Sequence, residues 1–133
     1  MPALDPHHAL LRQQWALECD ALERRRQRLL AAAATAALGL RERWPMLEAV
    51  WLFGSTTTPP TATQGFRRHS DLDLAVAGLP AEAHIAAMAV VERQVDAALA
   101  ADGEAGVAID LVRVEDLEPH WQNRIREQAC RLL

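Results

Sequence analysis

The sequence predicts an α/β protein of the α+β type, in which helices flank a small sheet and a long helix precedes it. Three apolar runs have the length of strands and end at turn residues, and they cover 48–53, 71–77 and 107–112. Segments with helical periodicity lie before, between and after these runs. Half of the 133 residues are apolar, which suffices for one domain with a modest core, and the chain is too short for two.

The first element is a helix that we expect to run from about 5 to 43. Asp5 is a good N-cap acceptor, Pro6 suits the first helical turn, and Trp44 precedes a proline that ends the helix. Gly39 is expected to weaken or bend the last turns, so two pieces remain an alternative to one. One apolar stripe recurs at helical spacing and consists of Leu11, Trp15, Leu22, Leu29, Ala33 and Leu40.

A glycine turn and an acidic strand form the centre of the sequence. The first strand runs into Gly54 and Ser55, where the glycine lets the backbone approach a phosphate and the serine offers a hydroxyl and an amide. Asp71 and Asp73 then lie on one face of the second strand. Their carboxylates repel each other unless a divalent cation lies between them. An Asp-x-Asp pair alone is common at solvated strand starts, but the preceding Gly-Ser turn favours a site for a nucleoside triphosphate.

The third strand carries one acid, Asp110, between two large apolar residues. An isolated carboxylate there is unfavourable without a partner, and a cation shared with the other two aspartates would provide one. A helix is expected at about 79–100, and its predicted apolar face consists of Ile85, Met88, Val91, Val95 and Leu99. The last helix is expected at about 119–132.

These blocks resemble the core motifs of the minimal nucleotidyltransferases, small members of the DNA polymerase β-like superfamily. The blocks are Leu-Phe-Gly-Ser at 52–55, Ser-Asp-Leu-Asp-Leu at 70–74 and the acidic strand at 107–112. The resemblance extends from about residue 38 to the C-terminus. It implies a small mixed sheet in the polymerase β-like fold.

The resemblance also implies a division of the chain and a set of roles. A single nucleotidyltransferase domain is expected over 1–133, with an N-terminal helical segment at 5–43 and the catalytic core at 46–133. The implied catalytic residues, which are also the ligands for two Mg²⁺ ions, are Asp71, Asp73 and Asp110. Gly54 and Ser55 are expected to contact the nucleotide, with ATP as the substrate.

The chain departs from the family pattern after the glycine turn. Members carry a short helix with an arginine there, whereas here fifteen residues separate Ser55 from Asp71, and the segment 56–65 contains no basic residue. Its two prolines exclude a continuous helix, and we expect this loop to be mobile. Arg67 or Arg68 is hypothesised to bind the nucleotide phosphates in place of the missing arginine.

The N-terminal helix is longer than the family requires, because its second half suffices to cover the sheet. The part before about Asp20 is extra, and its Leu11 and Trp15 need a cover. Two hypotheses stay open at this point. The extension packs on a partner or on a second copy of the chain, or it folds back over its own core.

The function that the resemblance implies is transfer of AMP from ATP to a hydroxyl group. The usual partner in this family is a HEPN ribonuclease toxin, so we expect an antitoxin that modifies a tyrosine of its cognate toxin. One alternative is a weak or inactive nucleotidyltransferase-fold antitoxin that acts by binding. An independent small-molecule nucleotidyltransferase is disfavoured, because the chain shows no additional helical domain that would hold such an acceptor.

Composition narrows the setting in which the protein is expected to work. The net charge of -4 argues against a broad basic field and against direct nucleic-acid binding, and the arginine run 24–26 is interpreted as a solvated helix face. No apolar run has membrane-spanning length, and the N-terminus lacks a signal sequence. Cys19 and Cys130 are interpreted as reduced thiols, and a cytoplasmic location is expected.

Overall fold

A computed structural model describes residues 6–101, 103 and 106–133 of the chain. The helices are α1 (Pro6–Arg43), α2 (His84–Ala100) and α3 (Pro119–Gln128), and the strands are β1 (Ala49–Phe53), β2 (Leu72–Ala77), β3 (Ile109–Arg113) and β4 (Cys130–Arg131). Short 3₁₀ turns occupy Ser55–Thr57, Ala81–Ala83 and Val114–Asp116. The predicted α/β class with a small mixed sheet and a long N-terminal helix is confirmed.

The sheet has the strand order β3-β2-β1-β4. β1 is antiparallel to both of its neighbours, whereas β2 and β3 are parallel and are connected through α2. A parallel pair needs such a crossover, because a tight turn cannot return the chain to the same end of the sheet. As a result, β1 ends at the edge of the sheet where β2 and β3 begin.

The prediction of a final helix reaching residue 132 was wrong. α3 ends at Gln128, Ala129 adopts an extended backbone conformation, and β4 pairs with Trp51 and Leu52 of β1. The amide of Leu132 also donates to the carbonyl of Val50 at 2.8 Å. Without β4, the outer edge of β1 would leave backbone donors and acceptors unpaired. The hydrogen bonds gained by pairing outweigh the local helical pattern of these residues.

α1 and α2 pack side by side on one face of the sheet, and α3 covers part of the other face. The first layer contains the largest fully buried side chains, which include Leu29, Leu40, Leu52, Leu72, Leu74, Val91 and Val95. The smaller second cluster lies beneath α3 and includes Trp51, Ala75, Ala77, Val114 and Ile125. The apolar face predicted for α2 is correct except for Ile85, which is 83% exposed because Ala83 and Ala87 face the core instead.

α1 is a single helix of 38 residues, and its two ends have different surroundings. Gly39 does not interrupt it. A Cβ built on Gly39 would lie 3.7 Å from Cγ1 of Val90, so this glycine lies where α1 packs against α2. Toward the other end the apolar stripe leaves the body of the protein, and Trp15 is 59% exposed. The hypothesis that the extension folds back over its own core was therefore wrong. The predicted cap at Asp5 lies outside the described residues.

Two leucines on α1 allow a matched test of this packing. We expect Leu29→Ala to lower the free energy of unfolding by about 2–5 kcal/mol, since Leu29 is completely buried and its truncation leaves a cavity. Leu17→Ala should change it by less than about 0.5 kcal/mol, because Leu17 is 61% exposed. Urea unfolding followed by circular dichroism measures both values, and similar losses for the two variants would contradict the position of α1.

Within the part of the chain that the structure describes, no helix is both long enough and apolar enough to cross a membrane.

Candidate functional site

The three aspartates singled out in the sequence meet at the end of the sheet where β1 stops. Asp73 in β2 lies directly opposite Asp110 in β3, and on its other side it pairs with Phe53, the last residue of β1. Neighbouring strands lie about 5 Å apart, and residues two positions apart along a strand are about 7 Å apart. Asp71, just before β2, therefore lies on the same face within reach of both carboxylates.

The surroundings of Asp73 raise the pKa of its carboxyl. Partial burial raises the pKa of its carboxyl above the ordinary value of 3.8, and the negative charges of Asp110 and then Asp71 raise it further. The strand register places Asp110 opposite Asp73, and Asp71 precedes Asp73 by two positions, so the three residues lie close to one another. The geometry therefore provides clustered negative charge, and a bound divalent metal would relieve the repulsion.

The donors suit Mg²⁺ in their chemistry, because carboxylate oxygens are the ligands that this cation prefers. A Cβ built on Gly54 would lie 2.2 Å from Oδ2 of Asp73, so any residue other than glycine would clash with this oxygen. Among the described residues, no group of three or more His, Cys, Asp or Glu side chains already stands at metal-binding spacing. Asp71 and Asp110 are exposed, so their carboxylates have the freedom to turn toward an arriving cation, whereas Asp73 is held more tightly.

The glycine turn is formed by a positive-φ glycine and by local hydrogen bonds. Gly54 has φ 79°, a conformation that strongly favours glycine, and the chain then makes one 3₁₀ turn over Ser55–Thr57. The carbonyl of Gly54 accepts bonds from the amide of Thr57 at 3.1 Å and from its hydroxyl at 2.7 Å. The turn is thus a closed unit that brings the backbone against Asp73. Its own polypeptide does not cover Gly54, which is exposed.

The threonine-proline loop has a compact conformation with several internal contacts. Phe66 is completely buried in the core, and its amide donates to the carbonyl of Thr58 at 3.0 Å. Gly65 is required inside the loop, because a Cβ there would lie 2.0 Å from the carbonyl oxygen of Pro59. One buried aromatic residue and close backbone contacts hold this conformation, and the mobility of the loop stays a prediction.

The two arginines after this loop have different surroundings. Nη1 of Arg67 donates to the carbonyls of Pro60 and Phe66 at 2.8 and 2.9 Å, so this guanidinium braces the loop. Arg68 instead lines a cavity of about 1040 Å³ between α1 and the entry to β2, which Asp71 and Arg25 also line. The cavity adjoins the acidic cluster but does not contain Asp73 or Asp110. Of the two arginines, Arg68 is the better placed for an anionic ligand.

One arginine of the run 24–26 contacts the glycine turn, a contact that the sequence analysis missed. The side chain of Arg26 is only 12% exposed, and its Nη1 donates to the carbonyl of Thr56 at 3.1 Å. The interpretation of the whole run as a solvated face was therefore wrong for this residue. A usable signal existed, since Glu23 lies three residues earlier, where it can hold the guanidinium on the inner side of the helix.

The raised pKa of Asp73 predicts how stability depends on pH. Above this pKa the folded protein carries a repelled carboxylate, whereas below 3.8 the group is protonated in both the folded and unfolded states. Stability present at low pH is therefore lost as the pH rises through the folded-state pKa. We expect Asp73→Asn to raise the stability of the metal-free protein at pH 7 by up to about 1 kcal/mol, and to have little effect near pH 4.

Urea unfolding in the presence of EDTA, repeated across this pH range, measures that difference. Asp20→Asn is the control, because Asp20 is exposed on α1. A loss of stability in Asp73→Asn at pH 7 would contradict the electrostatic account.

Comparison with known proteins adds one structural similarity. No protein-family model matches the sequence, and no curated protein is significantly similar to it. A crystal structure of a mutant of the toxin–antitoxin MntA–HpeT is 24% identical in sequence with a TM-score of 0.46. The match covers 71% of this chain and 66% of that chain, so this chain matches just under two thirds of the other protein's length.

Proposed function

We propose that the protein is a minimal nucleotidyltransferase that acts as the antitoxin of a toxin–antitoxin pair. The observation that carries this proposal is the meeting of Asp71, Asp73 and Asp110 beside a glycine turn that closes on Asp73. An acidic cluster with a neighbouring phosphate-binding turn is the arrangement that transfer from a nucleoside triphosphate requires. The order of the three motif blocks along the chain supports the same class.

The proposed reaction transfers AMP from ATP to a hydroxyl group. The hydroxyl oxygen forms a bond to the α-phosphorus, the bond from that phosphorus to the bridging oxygen of pyrophosphate breaks, and the hydroxyl proton passes to a carboxylate. When Mg²⁺ is bound, it neutralises charge on the phosphates. Asp71, Asp73 and Asp110 would hold it, and Asp110, the more exposed partner of Asp73, would accept the proton.

The glycine turn and the neighbouring arginines would bind the nucleotide. Gly54 presents exposed backbone next to Asp73, and the Ser55 amide and hydroxyl belong to the same turn. Arg68 offers positive charge at the edge of the cavity beside Asp71. The arrangement does not distinguish one nucleobase from another, and the choice of ATP follows from the family resemblance.

The acceptor is proposed to be a HEPN-type toxin that carries a hydroxyl near its own active site. The chain contains no tyrosine, so it cannot modify itself at that residue type. The exposed apolar end of α1, with Trp15 and Leu17, lies beyond the body of the protein and is free to contact another chain.

The test combines the purified protein, its cognate toxin, Mg²⁺ and ATP labelled at the α-phosphate. We expect the label to appear on the toxin, together with a mass increase of one AMP and release of pyrophosphate. Absence of transfer to an authentic partner under these conditions would refute the enzymatic proposal.

A binding-only antitoxin is the second candidate, and one observation favours it. Among the described residues, no three carboxylate, imidazole or thiol side chains stand at metal-binding spacing, so the aspartates would have to rotate before they could bind a metal together. Cells that express the toxin together with the Asp71→Ala, Asp73→Ala double variant separate the two candidates. Full protection by this variant would mean that contact alone neutralises the toxin, whereas its loss supports catalysis, provided that the variant still binds the toxin.

A further inference from the structure

Arg26 lies on α1, thirty positions before the residue that it contacts, yet it is bonded to the glycine turn of the candidate site. Its Nη1 donates to the carbonyl oxygen of Thr56, which follows Ser55 directly. The peptide unit of Thr56 thus connects the long N-terminal helix to the segment that would meet the triphosphate.

Thr56 also connects the turn to the acidic strand. Its side chain is completely buried, and its hydroxyl donates to the carbonyl of Asp71 at 3.0 Å. Thr56 therefore accepts a hydrogen bond from Arg26 of α1 through its carbonyl and donates one to the residue before β2 through its hydroxyl. The distance between the glycine turn and the first aspartate depends on where Thr56 is fixed.

The guanidinium itself is held in a fixed orientation. Nε and Nη2 of Arg26 donate to the two carboxylate oxygens of Glu23 at 2.9 and 3.0 Å, and Gln27 donates to the same carboxylate at 2.9 Å. Such a fork restricts the arginine to one geometry, which leaves Nη1 pointing at the turn. Glu23 and Gln27 are therefore the supports that aim Arg26.

We propose that Arg26 is a positioning residue that locks the Gly54–Thr57 turn against the entry to β2, and that α1 thereby sets the nucleotide-binding geometry. The part of this inference that concerns nucleotide binding rests on the proposed function. The mechanical part, in which α1 restrains the turn, applies to the protein alone. Arg26 acts through Thr56 and is not assigned a contact with the substrate.

The test measures amide hydrogen exchange in the protein without nucleotide. The amides of Thr57 and Thr58 are hydrogen-bonded within the turn, to the carbonyls of Gly54 and Ser55. We expect Arg26→Ala to speed exchange at both amides by about tenfold, the factor that corresponds to the loss of one hydrogen bond from a charged donor. Amides in the middle of β2 should be unaffected, which separates a local release from general destabilisation.

Two variants serve as controls. Arg24→Ala removes an exposed arginine from the same helix and should leave exchange at Thr57 and Thr58 unchanged. Arg26→Lys keeps the charge and a donor but loses the fork to Glu23, and it should give an intermediate rate. If Arg26→Ala destabilises the whole protein, the exchange rates of Arg26→Lys decide whether Arg26 restrains the turn. Wild-type exchange rates in a folded Arg26→Ala, or in Arg26→Lys where the alanine variant unfolds, would overturn the proposal.

Calorimetry with Mg²⁺ and ATP then tests the link to the site. We expect Arg26→Ala to weaken binding by about tenfold relative to Arg24→Ala. If the wild-type protein binds no Mg²⁺–ATP, the proposed function fails, while the exchange comparison still decides whether Arg26 restrains the turn. If exchange rises but affinity does not change, the turn is restrained by α1 without consequence for the nucleotide, and the positioning role is wrong.

Discussion

The double substitution of Asp71 and Asp73 by alanine should lower the rate of AMP transfer by at least about a thousandfold. Carboxylates that hold a catalytic metal are responsible for several kcal/mol of transition-state stabilisation, and each 1.4 kcal/mol corresponds to about tenfold in rate. The substitution removes two of the three carboxylates in the acidic cluster and leaves only Asp110. Quantitation of labelled toxin at saturating ATP measures the effect.

The same variant is expected to fold well. The pKa of Asp73 is raised by burial and by the charges of Asp110 and Asp71, so the metal-free protein carries a repulsion that the substitution relieves. A variant that is at least as stable as the wild type but inactive would identify the acids as functional groups. Asp20→Ala is the control for loss of an exposed carboxylate. Transfer at the wild-type rate by the double variant would exclude a catalytic role for the pair.

The second large effect is expected from Gly54→Ala. A Cβ at this position would lie 2.2 Å from Oδ2 of Asp73, and the backbone has φ 79°. The carboxylate must therefore move away, and an alanine at φ 79° and ψ -166° costs about 1–3 kcal/mol in addition. We expect the affinity for Mg²⁺–ATP to fall by at least about tenfold, since the displaced oxygen is one of the proposed metal ligands. Isothermal titration calorimetry provides this value.

Gly103→Ala is the matched control for this substitution. Gly103 also has a positive φ, 68°, but a Cβ there would meet nothing within 4 Å. Both variants place an alanine at a positive φ, and only Gly54→Ala disturbs Asp73. Equal losses of nucleotide affinity in the two variants would show that strain, and not the position of Asp73, is responsible.

The sequence predicted the central part of the fold because its signals are local and short in range. Alternation places Asp71 and Asp73 on one face of β2, and a positive-φ glycine ends β1 as the Gly-Ser turn indicated. Asp110 on an apolar strand pointed to a partner, and the parallel pairing places it opposite Asp73. Each of these inferences needed only the period of a strand and the chemistry of one side chain.

The features that the sequence did not reveal concern residues whose conformation depends on distant parts of the chain. β4 forms because the free edge of β1 needs a partner, which no pattern within 129–133 reveals. The loop 56–65 is folded because Phe66 reaches the core, and Arg26 is fixed by a carbonyl thirty residues away. Composition alone does not reveal such conformations, since tertiary contacts do not appear in local sequence.

Binding of Mn²⁺ as a substitute for Mg²⁺ tests the central claim most directly. Titrations followed by electron paramagnetic resonance, with and without a non-hydrolysable ATP analogue, count the bound ions and give their affinity. The account predicts that the wild-type protein with the analogue binds Mn²⁺, and that Asp73→Asn and Asp110→Asn each weaken this binding by at least about tenfold. Unchanged Mn²⁺ binding in Asp110→Asn, or no binding by the wild type, would contradict it.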